Sequence, residues 1–102
     1  MAKSVSKTRS EIRIGLIEQL RLRKADVPVF VNLVDDYLSL WDTKEDLIKN
    51  IKEHGVYVEG ATGMKENPCV KQQVSVNAQM LKILTQLNIT TDNIVSDVDD
   101  EL

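Results

Sequence analysis

The sequence has few of the residue types that build disulfides, metal centres and stacked-aromatic sites. Its 102 residues include one cysteine, one histidine, one tryptophan, one phenylalanine and two tyrosines. A single cysteine, Cys69, excludes an intramolecular disulfide and fits a reducing compartment. One cysteine and one histidine supply too few ligands for a zinc site, and no P-loop motif is present to bind a nucleotide. We therefore expect a protein that is not an enzyme and has no cofactor and no metal.

Long hydrophobic runs are also missing. No stretch approaches the roughly 18 apolar residues that a membrane helix needs, and the first seven residues lack the apolar core of a signal peptide. Hydrophobic residues make up 42% of the chain and charged residues 28%, which is typical of a folded soluble domain. We expect one small cytoplasmic domain with no membrane contact.

Charge is distributed unevenly along the chain. The net charge is −3, yet residues 1–25 hold seven basic against two acidic residues, and the remaining 77 residues hold six against fourteen. A basic front on an acidic body is typical of a protein that binds a polyanion. The predicted DNA-binding residues are Lys3, Lys7, Arg9, Arg13, Arg21, Arg23 and Lys24. An ordinary solvated helix face is the competing interpretation.

A helix is predicted over about residues 9–24, because Ile12, Leu16 and Leu20 recur at helical spacing. The segment Thr8-Arg9-Ser10-Glu11 has the form of a capping box, in which a hydroxyl and a carboxylate satisfy free amides at a helix start. We expect the helix to begin there.

The strongest pattern predicts a long central helix over residues 27–54, which Gly55 should end. Its apolar face is unusually broad, and a second row of leucines lies beside the first. The first row consists of Phe30, Val34, Tyr37, Trp41, Ile48 and Ile51, with Lys44 as its one polar interruption. One helix of the same chain cannot cover so wide a face, so we expect this row to form an interface between copies. For Tyr37 and Trp41 a core or interface position is favoured over base stacking.

The second half of the chain predicts a short hairpin and another helix. Val56–Glu59 alternates like a strand, Gly60 to Gly63 form a turn, and the chain returns through Met64–Glu66. Asn67-Pro68 then opens a helix over residues 68–87, since proline is tolerated in a first turn. Asn88 is a turn-former, Thr90-Thr91 could cap a short further helix, and an acidic tail follows.

The order of these elements resembles the small terminase subunits of tailed bacteriophages, including those of HK97-like phages. The resemblance rests on Tyr37 and Trp41 in a long helix, the exit Gly55-Val56-Tyr57-Val58, the glycine-containing turn, Asn67-Pro68, and a helix that ends Leu84-Thr85-Gln86-Leu87-Asn88-Ile89-Thr90. It covers about two-thirds of the chain. Asn88 stands where the family often has glycine, and both residues tolerate a left-handed backbone.

The resemblance implies a mainly α fold: a basic N-terminal helix, a long central helix, a short β-hairpin and a C-terminal helix, assembled as an oligomeric ring. Residues 1–25 would be a DNA-contacting arm and helix, residues 26–88 an oligomerisation core, and residues 89–102 an acidic tail. The implied partners are double-stranded phage DNA and the large terminase subunit, whose ATPase and nuclease the ring would regulate in the host cytoplasm. The tail either docks the large subunit or only aids solubility.

Two other functions remain open from the residues alone. A small dimeric helix-turn-helix-like DNA-binding regulator would use residues 9–41, although its turn lacks glycine and its second helix is very apolar. A pure protein-interaction module would use the broad helix face without DNA. His54 and Cys69 are expected to be structural, and the carboxylates Asp35, Asp36, Asp42, Glu45 and Asp46 to form a solvated face rather than a magnesium site.

Overall fold

Three helices and one hairpin make up the computed structural model, which describes residues 5–90. Helix α1 spans Val5–Leu22 and helix α2 spans Pro28–His54. Strands β1 (Tyr57–Gly60) and β2 (Gly63–Glu66) follow, and helix α3 spans Pro68–Gln86. The predicted mainly helical fold with a central long helix and a short hairpin is confirmed.

The chain forms two compact units. Unit 1 contains the residues up to Leu38 and those from Lys82 onward, and unit 2 contains Ser39–Leu81. The core of unit 1 is a fully apolar cluster of Leu20, Val34, Leu38, Leu87 and Ile89, with partly buried side chains from α1, α2 and α3 packed around it. Burying such side chains is the main favourable term in folding, at roughly 1.5–3 kcal/mol for each large aliphatic residue. The basic helix α1 is therefore held in unit 1 by its own apolar row.

Both α1 and α3 end in the same hydrogen-bonded motif. After α1, the amides of Lys24 and Ala25 donate to the carbonyls of Arg21 and Leu20 at 3.0 and 2.8 Å, with Lys24 left-handed at φ 58°. Two crossed bonds around a left-handed residue satisfy the carbonyls that a helix end leaves open.

Helix α3 repeats the motif at Asn88, whose φ is 59°. The amides of Asn88 and Ile89 donate to Thr85 and Leu84 at 3.0 and 2.9 Å. Ile89 is buried after this turn, so the third residue beyond the helix completes the apolar core of unit 1. The prediction that Asn88 tolerates a left-handed turn is confirmed.

Unit 2 is organised around a buried asparagine at the start of α3. The Asn67 amide group donates to Asn50 Oδ1 at 3.0 Å and to the Gly55 carbonyl at 2.9 Å, while its Oδ1 accepts from the Cys69 amide at 3.0 Å. The Asn67 backbone amide also donates to the Val56 carbonyl at 2.7 Å. Asn67 thus caps α3 and ties it to the end of α2. Trp41, Leu47 and Met80 supply buried apolar surface in the same unit.

The hairpin pairs Tyr57 with Glu66, Val58 with Lys65, Glu59 with Met64 and Gly60 with Gly63 in antiparallel register. Residues directly opposite each other share a face, and faces alternate along each strand. Gly63 has a φ of 126°, a conformation that residues with a Cβ rarely adopt. The backbone of the turn therefore requires glycine at this position.

The predicted start of α1 is wrong. Thr8 and Glu11 lie inside the helix, which already includes Val5, so the capping box has no free amides to satisfy. The residues before Thr8 contain no glycine or proline, and a helix propagates through such residues at little cost. The predicted ends also differ, because α1 ends at Leu22 where Lys24 turns left-handed. The central helix, the hairpin and the third helix agree with prediction to within one or two residues.

None of the three helices described between residues 5 and 90 is long and apolar enough to cross a membrane. The acidic tail from Asp92 onward, the possible helix capped at Thr90-Thr91, and Lys3 lie outside the described residues.

Candidate nucleic-acid interface

The outward side of α1 carries charges of both signs. Lys7, Glu11, Ile14, Glu18 and Arg21 follow steps of four and three residues, so they share one side of the helix, and all but the partly buried Glu18 are exposed. Two basic and two acidic residues give this row no net charge. This row therefore does not form a continuous basic stripe along α1.

Arg21 is engaged by its own helix. Its Nε donates to Glu18 Oε1 at 2.9 Å, and its second guanidinium nitrogen binds the other carboxylate oxygen. The hydrogen bonds from Arg21 hold the pKa of Glu18 below its usual value. This two-point pair fixes the guanidinium near the end of α1.

Arg13 lies on the other side of α1, on the same row as Leu16 and Leu20. Its Nε donates to Asp35 Oδ1 at 3.2 Å, and both side chains are about half exposed. Exposed pairs of this kind contribute about 0–1 kcal/mol. Arg13 therefore has a partner within unit 1, and a phosphate would have to compete with Asp35 for it.

Arg23 binds the backbone at the end of α3. Its guanidinium donates to the Asn88 carbonyl, so the two left-handed helix ends of unit 1 are linked by one side chain. Lys24 is exposed in the turn that follows α1. Sequence reasoning assigned Arg23 and Lys24 the same role, but the Arg23 side chain is bound to the end of α3 and the Lys24 side chain is exposed.

Apart from Arg13 in the middle of the helix, the predicted basic residues between Lys7 and Lys24 therefore form two groups, at opposite ends of α1. Lys7 and Arg9 lie near its start, and Arg21, Arg23 and Lys24 lie at its end. At 1.5 Å per residue, Lys7 and Arg21 are about 21 Å apart along the helix. The structure does not bring all of them onto one face.

The row of α2 that was predicted to join copies is largely covered within the chain. Val34 is 0% exposed and Trp41 is buried, while Phe30 and Tyr37 pack against the core of unit 1. Burial raises the pKa of Tyr37. In this conformation Val34 has no surface to offer a second copy, because α1 and the end of α3 cover this part of α2. Ile51 is partly buried, and Ile48 alone of the six is exposed.

Lys44, the polar interruption of that row, has a specific partner. Its Nζ donates to Asn77 Oδ1 on α3 at 3.0 Å. Both residues line an open groove of about 360 Å³ in unit 2, together with Val70, Gln73 and Val74. The groove thus offers an ammonium group and two amides beside apolar side chains.

Exposed apolar side chains are concentrated in unit 2. Between residues 5 and 90, ten large hydrophobic residues have exposed side chains. Four lie in unit 1 (Val5, Ile14, Val27 and Val29) and six in unit 2 (Ile48, Val56, Tyr57, Met64, Val74 and Leu81). Unit 2 also has nearly balanced charge, with five basic and six acidic residues between Ser39 and Leu81. Such a surface suits contact with protein better than contact with DNA.

The remaining candidate residues show no constellation for chemistry. Among residues 5–90 no group of three or more histidine, cysteine or acidic side chains is placed to hold a metal. His54 is exposed at the end of α2, and Cys69 is a partly buried free thiol. On the exposed side of α2, Asn32 is followed by Asp35 and Asp36. Phosphates would repel the two aspartates, which disfavours α2 as the groove-reading helix of a DNA-binding regulator.

A comparison with protein families matches residues 12–93 to a model described as "Phage terminase, small subunit". The match covers all of α2, the hairpin and α3, and most of α1. No curated protein and no solved structure matches the chain.

Proposed function

Since the chain belongs to the phage terminase small-subunit family and so takes part in phage genome packaging, we propose that it binds double-stranded viral DNA as a ring of several copies. In this role it delivers the DNA to the large terminase subunit and regulates the ATPase and nuclease of that subunit. The chain itself contributes no chemical step.

The observation that carries the proposal is the separation of charge and apolar surface. Residues 7–24 of unit 1 hold six basic against two acidic residues, whereas unit 2 holds five against six and has six of the ten exposed large hydrophobic side chains described between residues 5 and 90. A duplex is attracted by clustered cations through counterion release. A neutral apolar surface instead gains free energy by leaving water against another protein surface.

The two basic groups suggest how α1 meets DNA. Lys7 at one end, and Arg21 and Lys24 at the other, contact phosphates about 21 Å apart. The acidic middle of the outward row, with Glu11 and Glu18, faces the space between these two phosphate contacts. Contacts of this type position a protein on DNA without reading its sequence, and several copies in one ring add avidity.

Charge reversal at both ends of α1 tests the DNA contact. In a duplex-binding titration, the variant Lys7→Glu/Lys24→Glu should lose at least about tenfold in affinity. Its salt dependence should be shallower by about two phosphate contacts. Lys65→Glu, an exposed cation of the hairpin in unit 2, is the matched control and should bind like the original chain.

Equal affinity of the double variant and the control would remove α1 as the DNA contact. Far-ultraviolet circular dichroism of both variants verifies that the helices are intact. Native mass spectrometry of the unaltered chain tests the ring, for which a single closed species of several copies is expected. A monomer at micromolar concentration would contradict it.

A further inference from the structure

One face of the hairpin exposes two large apolar side chains. The register places Tyr57, Glu59, Met64 and Glu66 on the same face, and the tyrosine and methionine are 64% and 68% exposed. A two-stranded sheet cannot bury such side chains by itself. The face therefore presents an aromatic ring and a thioether flanked by two carboxylates.

The groove of unit 2 has the complementary chemistry. Its apolar wall is formed by Val70 and Val74, and Val74 is 69% exposed. Its polar end carries the Lys44 ammonium, held in place by Asn77 at 3.0 Å. The volume of about 360 Å³ gives room for a large side chain such as tyrosine, together with part of a neighbouring residue.

The hairpin face and the groove also carry complementary charges. Glu66 lies 3.9 Å from Lys71, whereas Glu59 has no ion-pair partner among residues 5–90. Lys44 makes its described contact with a neutral amide. A carboxylate that approached the groove beside Tyr57 and Met64 would meet an ammonium group, and such charge-assisted bonds are the stronger ones.

We propose that the hairpin face of one copy docks into the Lys44–Val74 groove of a second copy, with Glu59 meeting Lys44. The proposal rests on the proposed function, since it names the surfaces that build the ring. Two different patches of one chain meet, so each copy gives a hairpin to one neighbour and receives a hairpin from the other. Head-to-tail contacts of this kind close into rings when the rotation between copies permits.

Two half-defective variants test the contact. Tyr57→Asp spoils the hairpin face and Val74→Asp spoils the groove, and both side chains are exposed, so each variant should fold. By native mass spectrometry each variant alone should be monomeric. An equimolar mixture should give one-to-one dimers and nothing larger, because only one intact hairpin and one intact groove remain for each pair.

Any other pattern overturns the contact. Rings formed by either variant alone, a mixture that stays monomeric, or a mixture that regains full rings would each show that copies meet elsewhere. If the unaltered chain itself is monomeric, the ring of the proposed function fails. If the unaltered chain assembles and the variants assemble equally, only the hairpin–groove contact fails.

A charge exchange tests the predicted ion pair separately. Lys44→Glu and Glu59→Lys should each raise the protein concentration needed for half-maximal assembly at least tenfold. The double variant should recover most of the loss. Lys49→Glu, an exposed lysine of the same helix outside the groove lining, should assemble normally. A double variant no better than the single variants would contradict the pairing of these two residues.

Discussion

At the scale of single residues, Lys24 and Asn88 adopt nearly the same left-handed backbone, with φ of 58° and 59°. Asparagine visits this region readily, whereas a lysine in it is strained by about 1–2 kcal/mol because its Cβ approaches the following carbonyl. The two helix ends therefore have the same hydrogen bonds but differ in conformational cost.

This difference gives the first stability prediction. Lys24→Gly should raise the free energy of unfolding by about 1 kcal/mol, because glycine relieves the strain. Asn88→Gly should change it by about 0.5 kcal/mol or less. Lys82→Gly, at an exposed lysine inside α3, should lower it by about 1 kcal/mol. Urea denaturation without DNA measures all three, and a destabilised Lys24→Gly would show that the strain is absent.

Tyr37 gives a prediction about pH. Burial disfavours the phenolate and raises the pKa of Tyr37 above 10.0. The folded state therefore holds the proton more tightly than the unfolded state. The contribution to stability is complete below pH 10 and is lost as pH rises through the higher folded-state pKa.

Ultraviolet absorbance can isolate this group. Tyr57→Phe leaves Tyr37 as the one tyrosine of the chain, so the phenolate signal reports on it alone. We expect a titration midpoint above 10, and a midpoint at or below 10 would mean that the side chain is solvated. Titration in denaturant provides the unfolded reference.

At the scale of elements, the junction between the hairpin and α3 depends on Asn67. Its side chain makes three hydrogen bonds at 2.9–3.0 Å while being 3% exposed. A buried amide with all its partners stabilises the fold, and the same site with partners removed costs about 1–3 kcal/mol. The Asn-Pro pair, which in sequence is a common and weak signal, thus marks a buried polar site with three side-chain hydrogen bonds.

Substitution of Asn67 should separate its two roles. Asn67→Ala should lower the free energy of unfolding by about 2–3 kcal/mol, since both the helix cap and the bonds to Asn50 and Gly55 are lost. Asn67→Asp keeps the cap but turns a carboxylate toward the Gly55 carbonyl, so a comparable loss is expected. Asn32→Ala, at an exposed asparagine of α2, should change stability by less than about 0.5 kcal/mol. A tolerated Asn67→Asp would mean that the donor bonds contribute little.

The same scale shows how far the sequence determines the fold. Glycine at residue 55, the turn between residues 60 and 63, and Asn67-Pro68 mark element boundaries because each solves a backbone problem that few other residues can solve. The bounds of α2, the hairpin and α3 could therefore be predicted. The start of α1 could not, because Thr8-Arg9-Ser10-Glu11 has the form of a capping box although the helix already includes Val5.

The candidate site was less predictable than the fold for a related reason. The concentration of cations in residues 1–25 is visible in the sequence. The partners of Arg13 and Arg23, which are Asp35 and the Asn88 carbonyl, are 22 and 65 residues away. Only tertiary packing decides which cations face outward. The same packing buries Val34 and Trp41. The spacing of apolar residues alone does not show whether such side chains are buried within one chain or between copies.

At the scale of the whole molecule, assembly should be visible in thermal stability. In the proposed ring, folded copies bind each other and unfolded copies do not. The melting temperature should therefore rise with protein concentration. Differential scanning fluorimetry over a hundredfold concentration range measures the effect. The Val74→Asp variant should melt at a temperature independent of concentration. An unaltered chain that also melts independently of concentration would argue against association in this range.

The placement of cations in unit 1 and of neutral apolar surface in unit 2 also bears on how such a protein diversifies. If α1 contacts DNA as proposed, substitutions among residues 7–24 change how tightly each copy holds the duplex, and they leave the proposed hairpin–groove contact of unit 2 untouched. In the proposed ring, two related viruses that infect one bacterium would then produce hybrid assemblies, in which subunits with different affinities for DNA sit side by side.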